Sequence, residues 1–231
     1  MILKAENLSK RYMRKTGQAN YFHAVKGVSL GLRRGELTVL MGRSGSGKTT
    51  LLHMLSGLLT PSEGVVRLGD ADLYSMDDEA LSRLRNEKIG VVPQGRSAID
   101  SLTVLENVLL PGTMYGSGDE KEALHWLEAL EIAHLAGARP AELSGGELRR
   151  MALARALARK PAVLLADEPT GDLDDVSTER VLTALKDVTR NSGTAVLIVS
   201  HDTEATRYAD VLYRMDGGML KEESLICRAD A

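Results

Sequence analysis

The chain is expected to be an α/β protein, with a mostly parallel sheet that carries a phosphate-binding loop, an antiparallel β part and an inserted helical sub-lobe. Three observations lead there. Four apolar runs, at 37–41, 89–92, 162–166 and 195–199, are strand-length and too apolar to be half-solvated, which suits parallel strands covered on both faces. Each run is followed at its C-terminal end by reactive polar residues, and open α/β sheets bind ligands outside the carboxyl ends of their strands. The first run leads into Gly42-Arg43-Ser44-Gly45-Ser46-Gly47-Lys48-Thr49-Thr50 and then Leu51-Leu52-His53-Met54-Leu55, in the order strand, glycine loop, helix.

That loop fits the spacing G-x-x-x-x-G-K-[ST] without a mismatch. Gly42, Gly45 and Gly47 let the backbone turn tightly and bring its N–H groups onto phosphate oxygens. The following helix adds the positive end of its dipole. Lys48 can reach the β- and γ-phosphates, and the Thr49 hydroxyl can hold Mg²⁺. A Gly/Ser turn alone would be a surface turn. The lysine and hydroxyl at fixed offsets, between a buried strand and a helix, favour a nucleotide site.

Composition narrows the field. At 231 residues the chain can bury a core as one domain, or as one domain with a sub-lobe. A formal net charge of −3, with Arg and Lys spread along the chain, gives no electrostatic case for nucleic acid, so no nucleic-acid partner is expected. Aromatics at 3% leave little for a base-stacking surface and make the core one of Leu, Val, Ile, Ala and Met. Cys227 is the only cysteine, which excludes an intramolecular disulfide and a cysteine metal cluster and fits a reducing cytosol. No stretch approaches the roughly 20 apolar residues that span a bilayer. The first residues, Met1–Glu6, are too short and too charged for a secretory signal. An intracellular protein that reaches a membrane through a partner is the expectation.

Taken in order, Ile2–Leu8 and Val25–Leu32 read as strands, and Met13–Asn20 as a polar loop opened by Tyr12, itself an ordinary half-buried strand aromatic. A turn at Thr60–Gly64 precedes a strand at Val65–Leu68, and Asp77–Glu87 reads as a helix with Leu81 and Leu84 on one face. After the run at 89–92 come Pro93-Gln94 and a loop at Gly95–Asp100. Helices are predicted at Thr103–Leu110 and Asp119–Ala136, the second with a core stripe of Leu124, Leu127, Leu130 and Ile132. Residues 95–160 offer no strand. Leu143-Ser144-Gly145-Gly146-Glu147 leads into a helix through Arg159, with Leu148, Met151 and Ala152 as its apolar face. A helix over Ser177–Thr189 and a hairpin over Val211–Glu222 complete the chain.

The polar residues at the strand ends supply what ATP hydrolysis needs, which is positioning and charge neutralisation rather than covalent help. Asp167 suits Mg²⁺, held directly or through water. Glu168 can orient and polarise the attacking water, His201 can donate to the γ-phosphate, and Gln94 can sense Mg²⁺ and water. Singly, each has a plain reading: an acidic pair at a helix start, a loop histidine. Ser144-x-x-Glu147 is likewise a capping box. Its two glycines weaken a helix without capping it better, and make sense if a ligand must approach the backbone. Since the chain's own phosphates already have a cradle, the turn is expected to serve a neighbouring subunit's nucleotide.

As an ordered set these motifs resemble the ATP-binding subunit of an ABC transporter, over essentially all of residues 1–222. The set comprises the loop at 42–49, Gln94, the signature at 143–147, Asp167-Glu168, Asp174 in Gly171-Asp172-Leu173-Asp174, and His201. The resemblance implies one ABC ATPase domain over 1–231, with the catalytic core at 1–94 and 161–231 and a helical sub-lobe at 95–160. It implies that Tyr12 stacks on adenine. Leu143–Glu147 would meet the ATP of the opposite subunit in a head-to-tail dimer, through Ser144 and Gly146 at the γ-phosphate, and Asp174 would couple the two sites. ATP and Mg²⁺ are the implied cofactors, with Thr49, Gln94 and Asp167 around the metal. The implied partners are a second copy of the chain or a paired ATPase subunit, and one or more integral-membrane permease subunits that hold it on the cytoplasmic face of the membrane.

Met41–Lys48, Leu81–Arg85 with Ile89-Gly90, Leu105–Val108 and Pro169–Asp174 are similar to the macrolide-export and lipoprotein-release (MacB/LolD-like) group. Three residues or segments depart from it: Glu147 stands where Gln is usual, Gly95 and Ala98-Ile99-Asp100 replace an aromatic and a Leu-Leu-Pro phrase, and Asp172 replaces Asn. The segment at 95–100 would line the groove for the permease's coupling helix. An FtsE-type regulator working through a permease-like partner is the alternative. A DNA- or ribosome-directed ABC ATPase is disfavoured, because one cysteine and a single ATPase half give neither zinc cysteines nor a second cassette.

Overall fold

The computed structural model describes residues 1–13 and 21–225. Ten strands are present among them: β1 (Leu3–Met13), β2 (Tyr21–Leu32), β3 (Leu37–Met41), β4 (Glu63–Leu68), β5 (Ala71–Asp72), β6 (Ile89–Val92), β7 (Val163–Asp167), β8 (Ala195–Ser200), β9 (Val211–Asp216) and β10 (Met219–Leu225). The α-helices are α1 (Lys48–Leu55), α2 (Asp78–Lys88), α3 (Val104–Thr113), α4 (Glu120–Ala129), α5 (Gly145–Leu157) and α6 (Asp175–Ser192).

The four apolar runs are β3, β6, β7 and β8. They lie side by side in a sheet of order β10-β9-β3-β8-β7-β6, in which every pairing except β10 with β9 is parallel. Their carboxyl ends therefore share one edge. Residues alternate between the sheet's two faces. Leu37, Val39 and Met41 of β3, Leu164 and Ala166 of β7, and Val196 and Ile198 of β8 enter a core with α3, α4, α5 and α6. Leu40, Leu165, Leu197 and Val199 enter a second core with α1 and an antiparallel sheet of order β2-β1-β4-β5. Coverage on both faces is why these strands carry no polar alternation.

The β9–β10 hairpin turns at Gly217 and Gly218, both at positive φ, as a two-residue turn of this hand requires. Between β6 and β7 the described residues form α3, α4, α5 and short 3₁₀ turns, with no strand. The structure thus has the expected α/β architecture.

Several boundaries differ from expectation. The helix predicted over Asp119–Ala136 stops at Ala129. Glu131 takes φ 55, the Ile132 N–H turns back to the Leu127 carbonyl at 2.8 Å, and a 3₁₀ turn over Ala133–Leu135 follows. The buried face is Ala123, Leu127 and Leu130, with Ile132 brought in by the turn, whereas Leu124 is 40% exposed. Leu124 lies one residue, or about 100°, round the helix from Ala123 and so misses the core.

β1 runs on to Met13, and β2 begins at Tyr21, pairing Tyr12 with Phe22 and Met13 with Tyr21. These outer ends are largely exposed and the pairing is bulged, so no regular alternation marked them. The rest of the predicted Met13–Asn20 loop lies outside the described residues. α3 continues through Pro111 to Thr113, and α6 spans Asp175–Ser192 because Asp174 caps it and Gly193, at φ 66, ends it.

Candidate nucleotide site

The shared edge of the parallel strands opens into a cleft of about 1230 Å³. The glycine loop links β3 to α1 at its floor. Here the structure gives two glycines a reason the sequence did not show. A Cβ on Gly47 would sit 2.1 Å from the Ala24 carbonyl oxygen, and one on Gly42 would sit 2.5 Å from that of Met215. Both positions are closed by the chain's own backbone. Gly45 has open space and needs its freedom for φ 76. The Lys48 ammonium is buried and donates to the carbonyls of Gly42 at 2.7 Å and Arg43 at 3.1 Å. Ser46 Oγ is buried with no hydrogen-bond partner among the described residues. A loop with a folded-back ammonium and an orphan hydroxyl suits an oxyanion that takes both.

Thr49 Oγ1 donates to Asp167 Oδ2 at 2.6 Å, joining the first turn of α1 to the end of β7. Burial pushes the Asp167 carboxyl above its ordinary value. The Thr49 hydrogen bond opposes this, the Glu168 charge adds to it, and His53 and Lys48 oppose it. A buried carboxylate beside a threonine hydroxyl fits Mg²⁺, which takes one or two carboxylates and keeps water and phosphate for the rest. Among the described residues no group of three or more His, Cys, Asp or Glu forms a metal cluster, so a dedicated all-protein cage is not what these donors build.

Glu168 follows at φ 50, an uncommon conformation for a residue with a Cβ. Its N–H donates to the Val199 carbonyl at 2.8 Å. Its Oε1 lies 2.8 Å from His201 Nδ1, and its Oε2 accepts from Ser200 Oγ at 3.3 Å. Gln94, after β6, is exposed and lines the same cleft, as do Ser44 and Thr50. Arg43 contributes its carbonyl to Lys48. Tyr12 stacks on Phe22 with centroids 5.6 Å apart and planes at 26°, and the Lys10 ammonium is 5.7 Å from the Tyr12 centroid. Phe22, Ala24, Lys26 and Gly217-Gly218 also line the cleft; sequence reasoning missed them. Phe22 carried one signal, its place opposite Tyr12 in a possible hairpin.

Leu143–Glu147 and Asp174 do not line this cleft. Leu143 is buried in the helical core. Ser144 caps α5: Glu147 Oε2 accepts from the Ser144 N–H at 2.7 Å and its hydroxyl at 2.8 Å, while the Glu147 N–H returns to Ser144 Oγ at 3.3 Å. A Cβ on Gly146 would meet Leu173 Cδ2 at 2.9 Å, so that glycine has a packing role within the chain. Gly145 has nothing within 4 Å. Asp174 caps α6, accepting from the Ser177 N–H at 2.8 Å and its hydroxyl at 2.9 Å.

A family model described as ABC transporter matches residues 25–171. The chain therefore belongs to the ABC transporter family. It is 39% identical to MJ0796 of Methanocaldococcus jannaschii, an uncharacterized ABC transporter ATP-binding protein, with 97% of each chain aligned. It also superposes on the dimeric structure of MJ0796, a bacterial ABC transporter cassette, with a TM-score of 0.90 and 37% identity over 96% of this chain and 98% of that one. A dimeric post-hydrolysis state of the same cassette, bound to ADP and Pi, gives a TM-score of 0.90 at 36% identity, again over 96% and 98% of the two chains.

Proposed function

We propose that the chain is the MgATP-hydrolysing motor subunit of an ABC transporter, that it dimerises head-to-tail around two ATP molecules, and that it drives a separate membrane permease of the macrolide-export or lipoprotein-release type. Family membership supports the ATPase, and the dimeric relatives support the assembly. The four phrases shared with the MacB/LolD-like group support the finer type. No helix among the described residues is long and apolar enough to cross a membrane, so the reading includes a partner that does.

In this reading the loop at 42–50 cradles the phosphates with its N–H groups, and Lys48 leaves the Gly42 and Arg43 carbonyls for the β/γ-phosphates. Tyr12 offers its ring to the adenine. Thr49, Asp167 and Gln94 would hold Mg²⁺, which when bound neutralises charge on the phosphate oxygens. Glu168 accepts the proton of the attacking water, and His201 steadies the carboxylate and faces the γ-phosphate. Ser144–Glu147 and Asp174, outside their own cleft, serve the partner's nucleotide.

The observation that carries the proposal is the junction of Thr49–Asp167 with Glu168–His201 in one cleft at the sheet edge. Glu168→Gln should keep MgATP binding, trap an ATP-bound dimer and lower turnover by a factor on the order of 10² or more. Steady-state hydrolysis and light scattering with ATP test this; near-normal turnover would remove Glu168 as the base.

A further inference from the structure

Glu168 is held by more than His201. Ser200, the last residue of β8, is fully buried, and its hydroxyl sits between two partners. The Asp202 N–H donates to Ser200 Oγ at 3.0 Å, and Ser200 Oγ faces Glu168 Oε2 at 3.3 Å. A serine hydroxyl has one proton to give and two lone pairs to receive. With one lone pair taken by the Asp202 N–H and no exposure to solvent, its proton is directed at the Glu168 carboxylate. His201 Nδ1 occupies the other oxygen, so each oxygen of the carboxylate has its own partner, both from the end of one strand.

The backbone repeats the pattern. The Glu168 N–H is tied to the Val199 carbonyl, one residue before Ser200. At φ 50 Glu168 occupies a region that costs a side-chain-bearing residue energy and persists where neighbours fix it. Val199 fixes the main chain, and Ser200 and His201 fix the carboxylate.

We propose that Ser200 is a positioning residue for hydrolysis: its hydroxyl orients the Glu168 carboxylate toward the attacking water. This rests on the reading of Glu168 as the base. The hydroxyl contact at 3.3 Å is long for an O–H···O bond. Its role is therefore directional, and its loss should cost about tenfold in turnover, well short of losing the carboxylate itself.

The test compares Ser200→Thr with Ser200→Val, side chains of the same shape that differ by the hydroxyl, alongside Ser200→Ala and Glu168→Gln. Expected are a kcat for Ser200→Ala and Ser200→Val about tenfold below wild type, a KM for MgATP within about twofold, and a Ser200→Thr kcat within about twofold of wild type. Adding Ser200→Ala to Glu168→Gln should leave the single-turnover rate of the Glu168→Gln variant unchanged, because the group being oriented has already lost its basicity. Wild-type kcat in Ser200→Ala beside an inactive Glu168→Gln would overturn the role of Ser200 and leave Glu168 as base. Equal loss in the Thr and Val variants would also overturn it, by assigning the effect to packing. An active Glu168→Gln would instead overturn the reading beneath it. MgATP titration calorimetry on each variant separates loss of folding from loss of rate.

Discussion

In the proposed mechanism Asp167 serves function at the expense of stability. Its carboxyl is buried, and burial holds its proton affinity above the ordinary carboxylate value. Such a group binds its proton more tightly folded than unfolded. Its unfavourable contribution is therefore absent below the unfolded-state range and grows as pH rises through the folded value. At pH 7 without Mg²⁺, Asp167→Asn should remove that burden and raise the melting temperature. Differential scanning calorimetry reads the shift, and the same variant should lose Mg²⁺-dependent hydrolysis. A lower melting temperature would mean that the Thr49 hydrogen bond outweighs the desolvation. Of the residues that line the cleft, Lys48 and Thr49 were legible in the sequence from the spacing of the glycine loop ahead of α1, and Asp167, Glu168 and His201 from their places at the ends of apolar runs. The packing demands on Gly42 and Gly47 were not, because Ala24 and Met215 reach them only through the fold.

Elements are held by polar residues whose work is local. Thr103 and Glu106 form a reciprocal cap on α3, as Ser144 and Glu147 do on α5, and the second was read from the sequence as S-x-x-E. Asn107 was not. It is fully buried, accepts from the Ile99 N–H at 2.8 Å, and its amide nitrogen, with two hydrogens to donate, lies 2.9–3.2 Å from the carbonyls of Ile99, Leu102 and Thr103. Arg155 of α5 adds two bonds to Ser97, at 2.8 Å to its carbonyl and 2.6 Å to its hydroxyl. The stretch after Gln94, which reads as a loop, is thus fastened to two helices. Asn107→Ala should cost about 1–2 kcal/mol, since it takes the partner from the Ile99 N–H and the Leu102 carbonyl, while the Ile99 and Thr103 carbonyls keep the N–H groups of Leu102 and Asn107. Urea denaturation measures it, and a loss under about 1 kcal/mol would show that solvent or rearrangement satisfies them. The overlong α4 prediction failed for a related reason. Glu131 enters the left-handed region to bring Ile132 inward, a tertiary demand that helical periodicity does not contain.

The arrangement of the whole molecule bears on assembly. The order of the strands was not written in the sequence, but their common edge was, because every apolar run ends in a polar residue fit for a ligand. Leu143–Glu147 and Asp174 stand apart from that edge, and the dimer proposed above gives them their ligand. Gly145, open to its surroundings, is a cleaner probe than Gly146, whose substitution would also strike Leu173. Gly145→Asp should leave MgATP binding to the monomer within about threefold and abolish hydrolysis, since a carboxylate would repel the approaching phosphate. Mixed with Lys48→Ala, itself unable to bind, it should regain part of the activity, because a head-to-tail pair then has one site free of both defects. Calorimetry on the monomer decides the matter: a Gly145→Asp chain that cannot bind MgATP would place the turn in its own site.

The alternation along β3, β7 and β8 has a consequence for how the molecule comes apart. Leu164 and Leu165, neighbours in sequence, belong to opposite cores, as do Val196 and Leu197. The central strands are a party wall between two rooms. Neither room can be emptied while the wall stands, and neither survives its removal. The antiparallel sheet on one side and the helical lobe on the other should therefore melt together, as one calorimetric transition; two separate transitions would show that one side outlasts the other.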